Sequence, residues 1–140
     1  MQKKERPQRS VLIIDDNVKD IERAKSELES LNLGLMIDVA KSGEEGILML
    51  TRSETRLPDV ILLDIQMPKM GAFEFLRIIR SYHSFLKIKV YLMNSLPDEY
   101  DKIRAKKLGV SGHLSKPIDL SNEGVSKDSS KNKLKKDLGV

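Results

Sequence analysis

Four charged residues stand at the ends of short segments that are predicted to be strands. Asp15 and Asp16 follow the run at 11–14, Asp64 follows the run at 60–63, and Lys116 follows the run at 112–115. If the first and third runs are neighbouring strands, three carboxylates converge, and their mutual repulsion requires a divalent cation or raised pKa values. Oxygen ligands without His or Cys favour a hard ion such as Mg²⁺. The residue types therefore predict an acidic magnesium site.

The segments that carry these residues alternate between strand and helix patterns. Unbroken apolar runs are typical of strands buried on both faces of a sheet, and apolar residues at every third or fourth position predict helices. Strands are predicted at 11–14, 35–39, 60–63, 90–93 and 112–115, and helices at 17–31, 42–50, 72–82 and 98–108. This order predicts an α/β fold: a doubly wound, mostly parallel sheet with helices on both faces. Ligands of such a sheet lie beyond the carboxyl ends of its strands.

Three residues are predicted to delimit helices. Asn17 is placed to cap the first helix, and Ser42 with Glu45 has the spacing of a capping box before the second. Gly109 follows the fourth helical segment, where a left-handed residue commonly ends a helix.

Composition excludes several classes of function. The chain has 140 residues, no Cys, two His and 4% aromatic residues, which rules out thiolate chemistry and argues against a nucleic-acid stacking surface. No apolar run is long enough to span a membrane, so a soluble, cytoplasmic protein is expected. The net charge is +4, but residues 1–10 contain four basic residues and one acidic residue. We interpret residues 1–9 as a solvated basic tail.

The end of the chain departs from the alternating pattern. Residues 121–140 are rich in Ser, Lys, Asn and Asp, with few apolar positions and no convincing amphipathic spacing. A weak, short or absent fifth helix, or a mobile tail, is expected there. The predicted organisation is a single folded domain at 10–120 between two polar terminal segments.

Three motifs resemble the receiver domain of two-component response regulators, of the chemotaxis-regulator type. They are VLIIDDN at 11–17, PDVILLDIQMPKMGAFEFL at 58–76 and GVSGHLSKPI at 109–118. The resemblance implies five strands in the order 2-1-3-4-5. It also implies that Asp64 accepts a phosphoryl group from a partner phosphohistidine, and that Lys116 pairs with the phosphoryl oxygens. Mg²⁺ would be held by Asp15, Asp16, Asp64 and the backbone carbonyl of Gln66, and Pro117 would follow a cis bond.

The sequence departs from the family at its expected switch positions. Asn94, followed by Ser95, stands where the family usually has Thr or Ser, and His113 replaces an aromatic residue that swings inward. Asn94 takes the role of the hydroxyl, or Ser95 does after a local shift, or phosphorylation couples weakly to shape. For His113 a mild pH sensitivity is one hypothesis and an idle, partly exposed side chain is the other. The loop glycine, Gly71, is displaced by one position but remains available for a positive φ.

The leading interpretation is a phosphoacceptor protein rather than an enzyme acting on external substrates. Its expected partners are a sensor histidine kinase or histidine phosphotransfer protein and an unknown downstream protein, with no nucleic acid and no membrane insertion. The alternative is a non-switching adaptor that binds its partner regardless of phosphate. A flavin-binding protein would need a phosphate loop where Asp15-Asp16-Asn17 stands, and a haloacid-dehalogenase-type hydrolase would need an Asp where Gln66 stands.

Overall fold

Five parallel strands form one sheet in the order β2-β1-β3-β4-β5 in a computed structural model. The model describes residues 8–52, 56–95, 98–121 and 129–140. The strands are β1 (Ser10–Ile14), β2 (Met36–Ala40), β3 (Val60–Asp64), β4 (Lys89–Asn94) and β5 (Gly112–Ser115). The predicted α/β class and the strand order are therefore confirmed. Part of the expected N-terminal tail, residues 1–7, lies outside the described residues.

In the described part of the chain, five α-helices connect or follow the strands: α1 (Val18–Glu29), α2 (Gly43–Arg52), α3 (Ala72–Arg80), α4 (Glu99–Lys107) and α5 (Ser130–Asp137). A short 3-10 turn at His83–Phe85 precedes β4. Within the described residues, no helix is both long and apolar enough to cross a membrane.

The core has two halves because successive strand residues point to opposite faces of the sheet. Leu12, Leu63 and Leu92 pack with α2, α3 and α4 on one face. Ile13 and Leu62 pack with α1 and α5 on the other. Strands β1 and β3 are buried along their whole length, as their unbroken apolar runs predict. This rigid centre fixes the positions of the residues that follow each strand.

The caps at the helix ends agree with the sequence signals. The side-chain oxygen of Asn17 accepts a hydrogen bond from the Asp20 amide at 3.0 Å, and Ser42 Oγ accepts one from the Glu45 amide at 3.0 Å. Gly109 adopts φ +73 after α4. In the loop after β3 the positive φ of 64 falls on Lys69 and not on Gly71, the residue expected to be available for it. Gly71 instead has φ −76 and caps α3 in an extended conformation.

Of the alternatives expected at the end of the chain, the structure has a short fifth helix, α5, and the expectation of an absent helix is wrong. This helix is short, yet Leu134 and Leu138 lie on one face and are almost fully buried. Its first turn approaches β5 so closely that a Cβ on Gly112 would collide with the Ser130 side chain. At its last turn, Tyr91 Oη donates a hydrogen bond of 2.5 Å to Asp137. Tertiary contacts stabilise a helix that its polar composition alone did not predict. Residues 122–128, also part of the predicted polar segment, lie outside the described residues.

Candidate functional site

Three aspartates meet at the carboxyl edge of the sheet. Ile14 pairs with Leu63 in the β1–β3 register, so the following residues, Asp15 and Asp64, lie side by side. Asp15 and Asp64 are buried, whereas Asp16 is exposed. Carboxylate oxygens of Asp15, Asp16 and Asp64 lie within 4.8 Å of one another. This group of hard oxygen donors could hold a metal ion, and one exposed member leaves the site open to solvent.

Lys116 reaches the aspartates from β5, two strands away from β3. Its Nζ lies 2.8 Å from Asp15 Oδ2 and 3.0 Å from Asp64 Oδ1. The Lys116 side chain is only 10% exposed. Its backbone amide donates to the Asn94 carbonyl at 2.9 Å, which continues the β4–β5 ladder beyond Ser115, and the Lys116–Pro117 bond is cis. The lysine therefore enters the site along a fixed backbone path.

The electrostatics of the site set Asp64 apart. Burial raises the pKa of the Asp64 carboxyl to about 6; Lys116 opposes the rise and the charge of Asp15 adds to it. Burial also lowers the pKa of Lys116, but its ion pairs with carboxylates more than compensate and hold that pKa above its ordinary value. The ammonium is thus charged throughout the neutral range, next to a carboxylate that costs free energy to ionise.

Asp20 is a fourth acid at this site, and the sequence analysis did not identify it. Its Oδ2 lies 3.0 Å from Lys116 Nζ, and its side chain is 36% exposed. Asp20 belongs to the first turn of α1 and not to a strand end, so the pattern of residues after each strand does not include it. The available signal was its position three residues after the predicted cap, Asn17, where the first turn faces the same edge of the sheet.

The backbone carbonyl of Gln66 was expected to serve as a ligand. Gln66 lies two residues after Asp64 and is exposed. Its backbone amide donates a hydrogen bond to Asp64 Oδ1 at 3.3 Å. The structure thus brings this residue to the edge of the acidic group. Its role as a ligand stays a prediction.

The expected switch residues occupy different environments. Asn94 is the last residue of β4 and is buried, directly after Met93, which pairs with Asp64. Ser95 is exposed just beyond the strand. Asn94 is therefore placed closer to the buried part of the site than Ser95, and the role of each stays a prediction.

His113 lies in the middle of β5 and faces α4. Its backbone amide donates to Ser130 Oγ at 2.9 Å, while its Nε2 is buried without a hydrogen-bond partner within the described part of the chain. Burial lowers the pKa of His113, and Lys102 lowers it further, against the opposing charges of Asp101 and Glu99. The ring is therefore neutral at physiological pH, and one of its nitrogen atoms lacks a partner.

Comparison with known proteins agrees with this geometry. The family model of the response regulator receiver domain matches residues 11–123. Protein PilH of Pseudomonas aeruginosa is 31% identical over 109 residues, which cover 78% of this chain and 86% of PilH. The sensor histidine kinase CheAY of Helicobacter pylori is 33% identical over 107 residues, which cover 76% of this chain but 13% of that protein.

Other curated relatives are also much longer than the matched region. The chain spans 30% of a protein-glutamate methylesterase of Myxococcus xanthus and 43% of the regulatory protein PhoP of Bacillus subtilis. The similarity therefore covers one part of these longer proteins.

Solved structures give the same result. A two-component response regulator from Legionella pneumophila superposes with a TM-score of 0.73 at 32% identity, covering 80% of this chain and 89% of that one. The bacteriophytochrome response regulator AtBRR superposes with a TM-score of 0.77 at 27% identity, covering 96% and 95%. With the acidic group and the lysine in place at the sheet edge, this chain belongs to the receiver domains of two-component response regulators.

Proposed function

We propose that this chain receives a phosphoryl group on Asp64 from the phosphohistidine of a sensor histidine kinase or a histidine phosphotransfer protein. The observation that carries the proposal is the contact of Asp64 with Lys116 at 3.0 Å inside a group of three close carboxylates. Output then passes through contact with another protein. The reaction is directed at the chain itself, followed by slow loss of the phosphoryl group to water.

The residues suit this chemistry. A bond forms between an Asp64 carboxylate oxygen and phosphorus while the bond from phosphorus to the donor imidazole breaks, and the imidazole takes up a proton. Because the pKa of Asp64 is about 6, the carboxylate is mostly ionised at neutral pH and can act as the nucleophile. Lys116 is placed to neutralise charge on the phosphoryl oxygens as that bond forms.

The donor set also fits Mg²⁺. Asp15, Asp16 and Asp64 would hold it, with the Gln66 backbone carbonyl as a further ligand, and Asp15 would bind through water because its Oδ2 contacts Lys116. A bound Mg²⁺ would supply positive charge where the phosphoryl oxygens lie. It would also relieve the repulsion among the carboxylates.

Transmission of the signal would depend on Asn94, with Ser95 and His113 as secondary candidates. Asn94 is buried at the end of the strand next to that of Asp64, and its side-chain amide can donate a hydrogen bond. Amide NMR spectra of the phosphorylated native chain and of the Asn94→Thr variant test this role. Shifts outside the acidic pocket are expected in both. Their absence from both would favour the adaptor that binds regardless of phosphate.

Phosphorylation itself is tested by incubation with acetyl phosphate or phosphoramidate and by intact mass measurement. The wild type is expected to gain the mass of one phosphoryl group when Mg²⁺ is present and to lose most of this gain in EDTA. Asp64→Asn should show no gain. Asp38→Asn is the matched control, because Asp38 is an exposed carboxylate on β2, which β1 separates from the strand that carries Asp64. Equal labelling of Asp64→Asn and the wild type would contradict the assignment.

A further inference from the structure

The ammonium of Lys116 has no proton left for a phosphoryl group in this structure. Its Nζ contacts a carboxylate oxygen from Asp15 at 2.8 Å, from Asp20 at 3.0 Å and from Asp64 at 3.0 Å. A lysine ammonium has three donors, and three acceptors already surround it. Since Lys116 must bond to the phosphoryl oxygens in the function proposed above, at least one of these contacts has to be released.

The three acids differ in the cost of breaking their contact with Lys116, because their environments differ. Asp15 is fully buried, and its other oxygen, Oδ1, accepts a hydrogen bond from the Asn17 amide at 3.0 Å. Asp15 cannot turn to water as an exposed acid can, and in the absence of a metal ion its separation from Lys116 would leave a buried carboxylate without a cation. Asp64 would carry the phosphoryl group itself, so its bond from Lys116 can pass to one phosphoryl oxygen, and a second bond from Lys116 to the phosphoryl group requires another acid to leave.

Asp20 is the acid that can leave at little cost. Its side chain is 36% exposed and projects from the first turn of α1. Water can replace the ammonium as its partner, and ion pairs of this exposure contribute little free energy. The Asn17 cap holds the Asp20 amide at 3.0 Å, so the backbone can stay fixed while the side chain rotates away.

We propose that Asp20 is a positioning residue that binds the Lys116 ammonium before phosphorylation and is displaced from it by the phosphoryl group. The inference rests on the proposed function, because it concerns how the same lysine passes from one anionic partner to another. It predicts competition: the Asp20 carboxylate holds the lysine in place but opposes the phosphorylated state. An acid that only favours the helix N-terminus through the helix dipole would not compete in this way.

Beryllofluoride, a stable mimic of the phosphoryl group, provides an equilibrium test in the presence of Mg²⁺. Its affinity for the full chain is measured by amide NMR titration for the wild type and for Asp20→Asn. The variant is expected to bind about two- to five-fold more tightly, which corresponds to the strength of a partly exposed ion pair. Asp20→Glu, which restores the charge, is expected to return the affinity towards that of the wild type.

Glu22→Gln is the matched control, because Glu22 is an exposed acid on the same helix. It removes the same charge from α1 without removing a contact with Lys116. Equal affinities of Asp20→Asn and Glu22→Gln would overturn the proposal, as would weaker binding by Asp20→Asn. Thermal unfolding checks that each variant is folded, and Asp20→Ser replaces Asp20→Asn if the latter is not.

The same experiment separates the two levels of inference. A wild type that neither binds beryllofluoride nor gains a phosphoryl group on Asp64 would refute the proposed function, and the role of Asp20 with it. A wild type that does both, with an Asp20→Asn variant of unchanged affinity, would refute the role of Asp20 alone.

Discussion

Replacement of Asp64 by Asn is predicted to stabilise the metal-free protein, by an amount that grows as the pH rises. The pKa of Asp64 is raised from 3.8 to about 6, because burial and the charge of Asp15 outweigh the opposing effect of Lys116. A carboxyl group with a raised pKa stabilises the folded state below its unfolded pKa, and this contribution is lost as the pH rises through the folded pKa. Asn does not titrate, so the Asp64→Asn variant does not lose stability in this way as the pH rises.

The pKa values give the size of the effect. Full ionisation of Asp64 costs about 3 kcal/mol relative to its protonated form, since one pKa unit is worth about 1.4 kcal/mol. Between about pH 5 and about pH 7.5 the linkage relation predicts that the free energy of unfolding of the wild type falls by about 1 to 2 kcal/mol relative to that of Asp64→Asn. For a domain of this size the melting temperatures should diverge by roughly 5 °C.

Urea unfolding followed by circular dichroism measures the difference in the free energy of unfolding between the two proteins. Wild type and Asp64→Asn are compared at both pH values in EDTA, so that no divalent cation relieves the repulsion. Other titrating groups are common to both proteins and cancel in the difference. For Asp38→Asn, which removes an exposed carboxylate, the difference in stability from the wild type should be the same at both pH values. If the stability gap between wild type and Asp64→Asn were constant or narrowed towards higher pH, the assignment of a raised pKa would be refuted.

Three further substitutions probe the scaffold and are read by the free energy of unfolding in urea. Arg80 donates hydrogen bonds to five backbone carbonyls; Arg80→Lys should cost about 2 to 3 kcal/mol, because one ammonium cannot span them. His113→Phe removes the buried Nε2 that has no partner in the described residues and should add about 1 kcal/mol. This gain should increase below pH 6.5, because the lowered pKa of His113 penalises protonation of the folded state. Tyr91→Phe should cost about 1 kcal/mol and, by breaking the bond to Asp137, speed amide exchange in α5; unchanged exchange there would contradict this anchoring role.

The residues at strand ends could be predicted from the sequence for a simple geometric reason. Parallel strands in one sheet end at the same edge, so an acid or lysine that follows a buried run must lie there. Asp15, Asp64 and Lys116 meet this condition, and the structure brings all three together. The order of strands was needed as well, because it makes β1 and β3 neighbours; that information came from the motifs rather than from the periodicity.

Asp20 could not be found by the same reasoning. Which helix residues face the sheet edge depends on how α1 rotates about its own axis, and that rotation is set by packing of Ile21, Ala24 and Leu28. The periodicity of these residues defines the buried face but not the reach of a side chain at its border. A partly exposed acid such as Asp20 therefore resembles any other first-turn acid until the position of Lys116 is known.

The fifth helix and the loop after β3 show a second limit. Leu134 and Leu138 are ordinary residues in a polar segment, and their burial follows from β4 and β5 offering an uncovered face. In the loop, the positive φ falls on Lys69 because Gly71 is used to begin α3. In α5 packing against distant strands, and in the loop the start of the next helix, decides between conformations that the local sequence leaves open.

Arg80 and Lys116 are both at least half-buried cations, but they differ in the groups that balance their charge. This difference explains why the edge of the sheet that holds Lys116 is suited to function. Arg80 satisfies its donors with backbone carbonyls such as those of Ile88 and Leu108, which the fold cannot move. Lys116 contacts carboxylates, of which Asp20 is partly exposed to water and Asp64 is the proposed phosphoryl acceptor. A cation bound to fixed dipoles stabilises one conformation, whereas a cation bound to exchangeable anions can be transferred between them. The proposed chemistry of the site therefore depends on Lys116, because carboxylate side chains balance its positive charge and can exchange with other partners.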